Sequence, residues 1–206
     1  MINSFKLNLK ATSLWPLLFV LISCVEKKPV EPIESLPVIS TLPDFSFTSQ
    51  RGEDFGPTQL KGRVFLANFI FTRCPSVCPV MLEKTAKFLE EIKSYGISVV
   101  FVTFTVDPDH DTVMVLRKKA EELKADPERW VFLTHTDKTV MMNLFKEGFK
   151  VGVSEPLIAQ DLFDIAHSEK IVLVDKKARV RGYYSYDEAG LEQLKKDLAL
   201  IYQETY

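Results

Sequence analysis

The alternation of apolar and polar positions divides the chain into a proline-rich start and a regular succession of strands and helices. "DFSFTSQ" (44–50) alternates residue by residue and predicts a strand, closed by the turn residues Arg51-Gly52-Glu53-Asp54. "RVFLANFIFT" (63–72) is almost continuously apolar, with β-branched and aromatic residues, the signature of a strand buried on both faces. From Pro79 to Tyr95 the period changes. Leu82, Ala86, Leu89 and Ile92 recur at three- and four-residue spacing while Glu83, Lys84, Lys87, Glu90, Glu91 and Lys93 fall on other faces, so this segment is an amphipathic helix that Gly96 ends. "ISVVFVTFTV" (97–106) is a second buried strand.

After the turn "DPDHD", Asp111 or Thr112 is placed to cap a helix that turns Val115, Leu116, Ala120 and Leu123 inward. "WVFLTH" (130–135) is a short strand, and "DKTVMMNLFKEGF" (137–149) a helix ending near Gly148. Residues 150–163 are less regular. "SEKIVLVDKKARVRGYYS" predicts two strands around Asp175-Lys176-Lys177, and the C-terminal segment is a helix with Leu191, Leu194, Leu198 and Ile201 on one stripe. This order fits an α/β domain over residues 42–206: a central mixed, mostly parallel sheet flanked by helices, with an antiparallel C-terminal hairpin. It sets residues 74–78 where a strand's C-terminal end meets a helix N-terminus, the place where such sheets usually carry their chemistry.

The first 41 residues follow another logic. Lys6 and Lys10 precede an apolar run from Leu14 to Ile22, which ends in Ser23-Cys24. That is the layout of a secretory signal, and its end resembles a bacterial lipoprotein signal, in which Cys24 is lipidated. Pro16 and the shortness of the run argue against a membrane-spanning helix. Residues 1–23 are thus expected to be the signal, and 24–41 a lipidated cysteine and proline-rich linker. The expected address is extracytoplasmic and membrane-anchored, in a bacterial cell envelope. The formal net charge of −2 without a long basic run excludes nucleic acid as a natural partner.

With Cys24 assigned to the lipid, the domain keeps two cysteines, Cys74 and Cys78, in "FTRCPSVCP". A helix N-terminus supplies N–H groups and partial positive charge that stabilise a thiolate, and Arg73 is placed to add to this. Helical residues 74–78 would put the two side chains on one face, with Cβ atoms about 5–6 Å apart. A disulfide wants about 3.5–4.5 Å, whereas two sulfurs at about 2.3 Å converge on one metal ion with less adjustment. The spacing therefore tilts toward ion binding without excluding a reversible disulfide. A third ligand is needed. His167 comes first, because its loop can return to the cysteine-bearing end; His110, in the turn after a strand, comes second, and His135 third. Thiolates and imidazole suit Cu(I), Cu(II) or zinc, and the lack of an evident fourth Cys or His favours copper.

"FTRCPSVCP", "TVDPDHDT" and the histidine of "HSEKIVLVD", in this order, resemble the SCO/SenC family, copper proteins of the thioredoxin superfamily that assist cytochrome c oxidase assembly. The resemblance covers about residues 42–204. It implies a thioredoxin-like fold and copper held by Cys74, Cys78 and His167. It also implies delivery to the dinuclear copper site of cytochrome c oxidase, with the copper-accepting oxidase subunit and a copper donor chaperone as partners. The alternative is a thiol-disulfide oxidoreductase that reduces the cysteines of that site or acts in redox signalling, with Cys74 and Cys78 as its catalytic pair. Two positions depart from the family pattern: Ser76 stands where an acidic residue is frequent, and Ala166 where Asp commonly precedes the histidine, with Asp164 nearby. Asp107 and Asp111 read equally as braces of their loop and as residues with a direct role. The peroxidase motif T-x-x-C is absent, since Thr72 is only two residues before Cys74.

Overall fold

The computed structural model describes residues 35–152, 157–159, 162–164 and 169–204, and the side chains of all of these except 157–159 and 162–164. Cys24, Ala166 and His167 lie outside them. Three strands form the middle of the sheet: β4 (Phe65–Ile70), β5 (Val100–Thr105) and β6 (Trp130–Thr134), after the short β1 (Ser40–Thr41), β2 (Phe47–Ser49) and β3 (Asp54–Phe55). They are parallel, because each is joined to the next by a helical crossover: α2 (Val77–Ser94), after the short α1 (Pro57–Leu60), and α3 (Val113–Glu122). All residues of β4 and β5 are buried, as their continuous apolar runs require.

The sheet has eight strands in the order β1-β10-β9-β4-β5-β6-β2-β3, where β9 (Lys170–Val174) and β10 (Arg179–Ser185) are the hairpin and β7 (Leu157–Ala159) and β8 (Leu162–Asp164) pair separately. Among the described residues, only β4–β5 and β5–β6 are parallel. β9 joins β4 antiparallel, and β2 joins β6 antiparallel. The expectation of a mostly parallel sheet is corrected to a parallel centre between antiparallel flanks. Alternation within β2 could not reveal its direction, which depends on how the chain returns from the linker.

Two helices differ from their sequence patterns. α2 starts at Val77, two residues before the first expected position, and the predicted fourth helix splits into α4 (Lys138–Asn143) and a π-helical turn (Leu144–Gly148) closed by Phe149 N–H to the Leu144 carbonyl at 3.0 Å. A last helix, α5 (Glu188–Gln203), is capped by Asp187, whose carboxylate accepts the Gly190 N–H at 2.7 Å. Neighbours on β4 point to opposite faces: Asn68 reaches Tyr186, which touches Thr85 of α2, while Phe69 packs on Phe145 and Phe149. No helix among the described residues is long and apolar enough to cross a membrane.

Candidate metal and thiol site

Because β4 and β5 run parallel with Ile70 opposite Thr105, the turns that leave their C-terminal ends lie side by side. The first is 71–76 and carries Cys74; the second is 106–112. Val106 N–H donates to the Ile70 carbonyl at 2.8 Å, extending the pairing past both strand ends.

Cys74 is not helical. It sits in the turn before Ser76, the N-cap of α2, with its N–H donating to the Phe71 carbonyl at 3.3 Å, and only Cys78 lies within the first helical turn. The expected pair on one helical face is therefore replaced by one sulfur outside the helix and one inside. The Ser76 side chain makes no capping bond. Instead the Cys74 sulfur accepts the Cys78 N–H at 3.5 Å, the bond an N-cap oxygen usually takes. Pro75 precedes the helix and Pro79 occupies an early position, where no amide donor is required.

The two sulfurs are electrostatically unequal. Burial pushes the Cys74 thiol up, but the backbone N–H groups of Cys78 and Ser76, with the Cys78 thiol and the Ser76 hydroxyl, outweigh it and hold Cys74 below its ordinary range. Burial pushes Cys78 far above that range; a backbone bond from Phe71 acts the other way, and proximity to Cys74 and the Asp111 charge adds to the rise. Both cysteines are buried and no disulfide joins them. Arg73, expected to favour the thiolate, is paired with Asp107 at 2.6 Å. Helix-terminal amides lower the Cys74 pKa.

His110 is turned to the second turn's own carboxylate: its Nδ1 lies 2.9 Å from Asp111 Oδ1 and 3.4 Å from the Thr72 hydroxyl. His135 shapes the start of α4, where its Nδ1 accepts the Asp137 N–H at 2.9 Å and its ring lies against Phe47. Among the described residues, the group of His, Cys, Asp and Glu that brings three ligand atoms within 4.8 Å is Asp107, His110 and Asp111, and neither cysteine belongs to it. Asp107 and Asp111 brace the cysteine turn itself, through Arg73 and Thr72. Behind Cys78, Asn68 Nδ2 donates to the Tyr186 hydroxyl at 2.8 Å, and that phenol lies within 3.4 Å of the Thr85 hydroxyl. Soft thiols at a helix start are a donor set suited to monovalent copper.

A family model described as SCO1/SenC matches residues 36–203. The chain belongs to the SCO1/SenC family. It is 30% identical over 141 residues to a SCO1 protein homolog of Bacillus subtilis (strain 168), a match spanning 68% of this chain and 72% of that relative. Among solved structures it is similar to a SCO1/SenC family lipoprotein from Bacillus anthracis str. Ames, with a TM-score of 0.73 and 30% identity over 80% of this chain and 96% of the other. BsSco, described with a disulfide switch and as a member of the Sco family of cytochrome c oxidase assembly proteins, superposes with a TM-score of 0.72 at 25% identity, covering 84% of this chain and all of BsSco. The fold is accordingly the thioredoxin-like fold of the Sco proteins, with Cys74 and Cys78 in the turn and first helical residues that follow its central strand.

Proposed function

We propose that this chain is an extracytoplasmic, membrane-tethered copper carrier that holds one ion on Cys74, Cys78 and His167 and passes it to the dinuclear copper site of cytochrome c oxidase. The observation that carries the reading is the sulfur pair at the α2 start, one held toward thiolate by helix-terminal amides and one buried beneath it. Family resemblance supplies the metal, the histidine and the oxidase. In this reading residues 1–23 are a signal, Cys24 carries the lipid at the head of the linker 24–41, and 42–206 is the carrier domain.

Copper is the cargo. Cys74 makes the first bond as a thiolate, and Cys78 loses its proton as the second sulfur closes on the ion, so loading Cu(I) releases the Cys78 proton together with any that Cys74 still carries. Transfer then proceeds by exchange of these ligands for the thiolates of the accepting subunit.

The asymmetry of the two thiols favours a second reading as a thiol-disulfide reductase. The Cys74 thiolate would attack a disulfide sulfur of the oxidase subunit, and Cys78 would resolve the mixed disulfide, leaving two thiols on the partner and a Cys74–Cys78 disulfide here. The deciding experiment titrates the reduced chain from Pro29 onward with Cu(I) against a competing chelator, alongside His167→Ala, Cys74→Ser and Cys78→Ser. One tightly held ion, lost in all three variants, establishes the carrier. Tight stoichiometric copper in either serine variant sinks the site. Weak binding indifferent to His167, with an easily reduced disulfide, selects the reductase.

A further inference from the structure

Two carboxylates of the turn after β5 grip the two residues that precede Cys74. Asp107 pairs with Arg73 at 2.6 Å. Asp111 is fully buried. Its Oδ2 accepts the Thr72 N–H at 3.0 Å and the Thr105 hydroxyl at 2.6 Å; its Oδ1 accepts the Thr72 hydroxyl and faces His110 Nδ1 at 2.9 Å. The turn that carries Asp111 is itself fixed, with Asp111 N–H and His110 N–H donating to the Asp107 carbonyl at 2.8 and 3.2 Å and the Asp107 N–H donating to the Thr105 hydroxyl at 3.0 Å. The same three residues, Asp107, His110 and Asp111, present a candidate cation cluster. Arg73 neutralises Asp107 through its Oδ2, and four partners, three side chains and one backbone amide, converge on both oxygens of Asp111. The cluster is built as a brace.

We propose that Asp111 is a positioning residue of the cysteine site, holding Thr72 so that the turn delivers the Cys74 sulfur in front of the first N–H groups of α2. The inference rests on the cysteine pair being the working site. The chain of contacts is short: Asp111 fixes the Thr72 amide and hydroxyl, Cys74 follows two residues later with its N–H on the Phe71 carbonyl, and its sulfur accepts the Cys78 N–H. The buried carboxylate gathers all four partners, and as an ionised acceptor its bonds are charge-assisted. Asp111→Asn removes the charge and replaces one acceptor oxygen by a donor nitrogen, so the hydroxyls and His110 must reorient to keep any bond at that end.

The test compares wild type with Asp111→Asn in the reduced protein by amide hydrogen exchange and by Cu(I) competition. The Thr72 and Cys78 amides are expected to exchange at least about tenfold faster, while the amides of Phe101 and Phe132 in β5 and β6 change by less than about twofold. Copper affinity is expected to fall about tenfold or more, as when a group orienting a metal ligand is lost. A purely structural role would raise exchange at all four amides together, and that result overturns the proposal. So does a Cys78 amide that keeps its wild-type protection while Thr72 loses its own. If Asp111→Asn does not fold, Thr72→Val removes only the hydroxyl bond and is read at the Cys78 amide against the same two reference amides. Should wild type take up no Cu(I), the carrier reading falls, and the exchange comparison still decides the role of Asp111.

Discussion

Since Cys74 stands just outside α2 and Cys78 just inside it, the N–H groups of the helix start act on the first sulfur, while the second is sealed at 1% exposure. The pair should therefore react in sequence. Iodoacetamide at neutral pH is expected to label Cys74 first, with a rate that rises with pH through a midpoint below the ordinary thiol value of 9.0, because the thiolate is the nucleophile. Cys78, raised by burial, should be labelled only after the first alkylation or on unfolding. Peptide mapping by mass spectrometry checks the order; labelling of Cys78 first would refute the asymmetry. At this scale the sequence was half readable. Two thiols next to a strand–helix junction follow from the hydrophobic pattern, and so does the effect of the helix terminus. What could not be read is that Thr72 meets Asp111, 39 residues away. Periodicity reports which face a residue occupies within its own element and says nothing of which turns meet at a sheet edge.

Those turns meet because β4 and β5 are in parallel register, and the register is held by aromatic packing on the face opposite Asn68. The Phe104 ring lies 5.3–5.7 Å from those of Phe47, Phe69, Phe145 and Phe149, joining β5 to β2, β4 and the segment after α4. The π turn contributes directly, since its Phe145 and the Phe149 that closes it both reach this cluster. Phe104 is fully buried, so Phe104→Ala should cost about 3–5 kcal/mol through lost burial and a residual cavity. Denaturant unfolding measures this, and a loss below about 1 kcal/mol would mean that the cluster does not hold the strands together. The sequence pattern located every element that flanks the site, since apolar runs and helical stripes are local. Strand direction in β2 and the extra residue of the π turn were not local, and both arose only from packing.

At the scale of the whole molecule, the β9–β10 turn and the cysteine turn occupy opposite ends of the sheet. The β9–β10 turn follows Val174, which pairs with Phe65 at the start of β4, whereas Cys74 follows the strand's far end. Next to that turn Arg181, buried at 3% exposure, gathers the chain ends: it pairs with Asp175 at 2.8 Å and Glu204 at 2.7 Å, donates to the Pro37 carbonyl at 3.0 Å, and also bonds the Leu36 carbonyl. The Arg181 cluster itself has a pH signature. The Arg181 hydrogen bond holds Glu204 below the ordinary carboxylate range, and burial, which pushes Asp175 up, is outweighed by bonds from Arg179 and Arg181. Lowered carboxylates stabilise the fold above their unfolded values, 4.5 for Glu204 and 3.8 for Asp175, and that contribution is lost as pH falls through the folded ones. Arg181→Met should cost about 3 kcal/mol near neutrality, because it leaves buried charge behind. At about 2–4 °C per kcal/mol for a domain of this size, the melting temperature should drop by roughly 6–12 °C. As the carboxylates protonate below about pH 4, the difference between variant and wild type should shrink. Melting curves at several pH values test this: a gap that stays constant into acid would place the role of Arg181 in packing, with the ion pairs contributing nothing to stability.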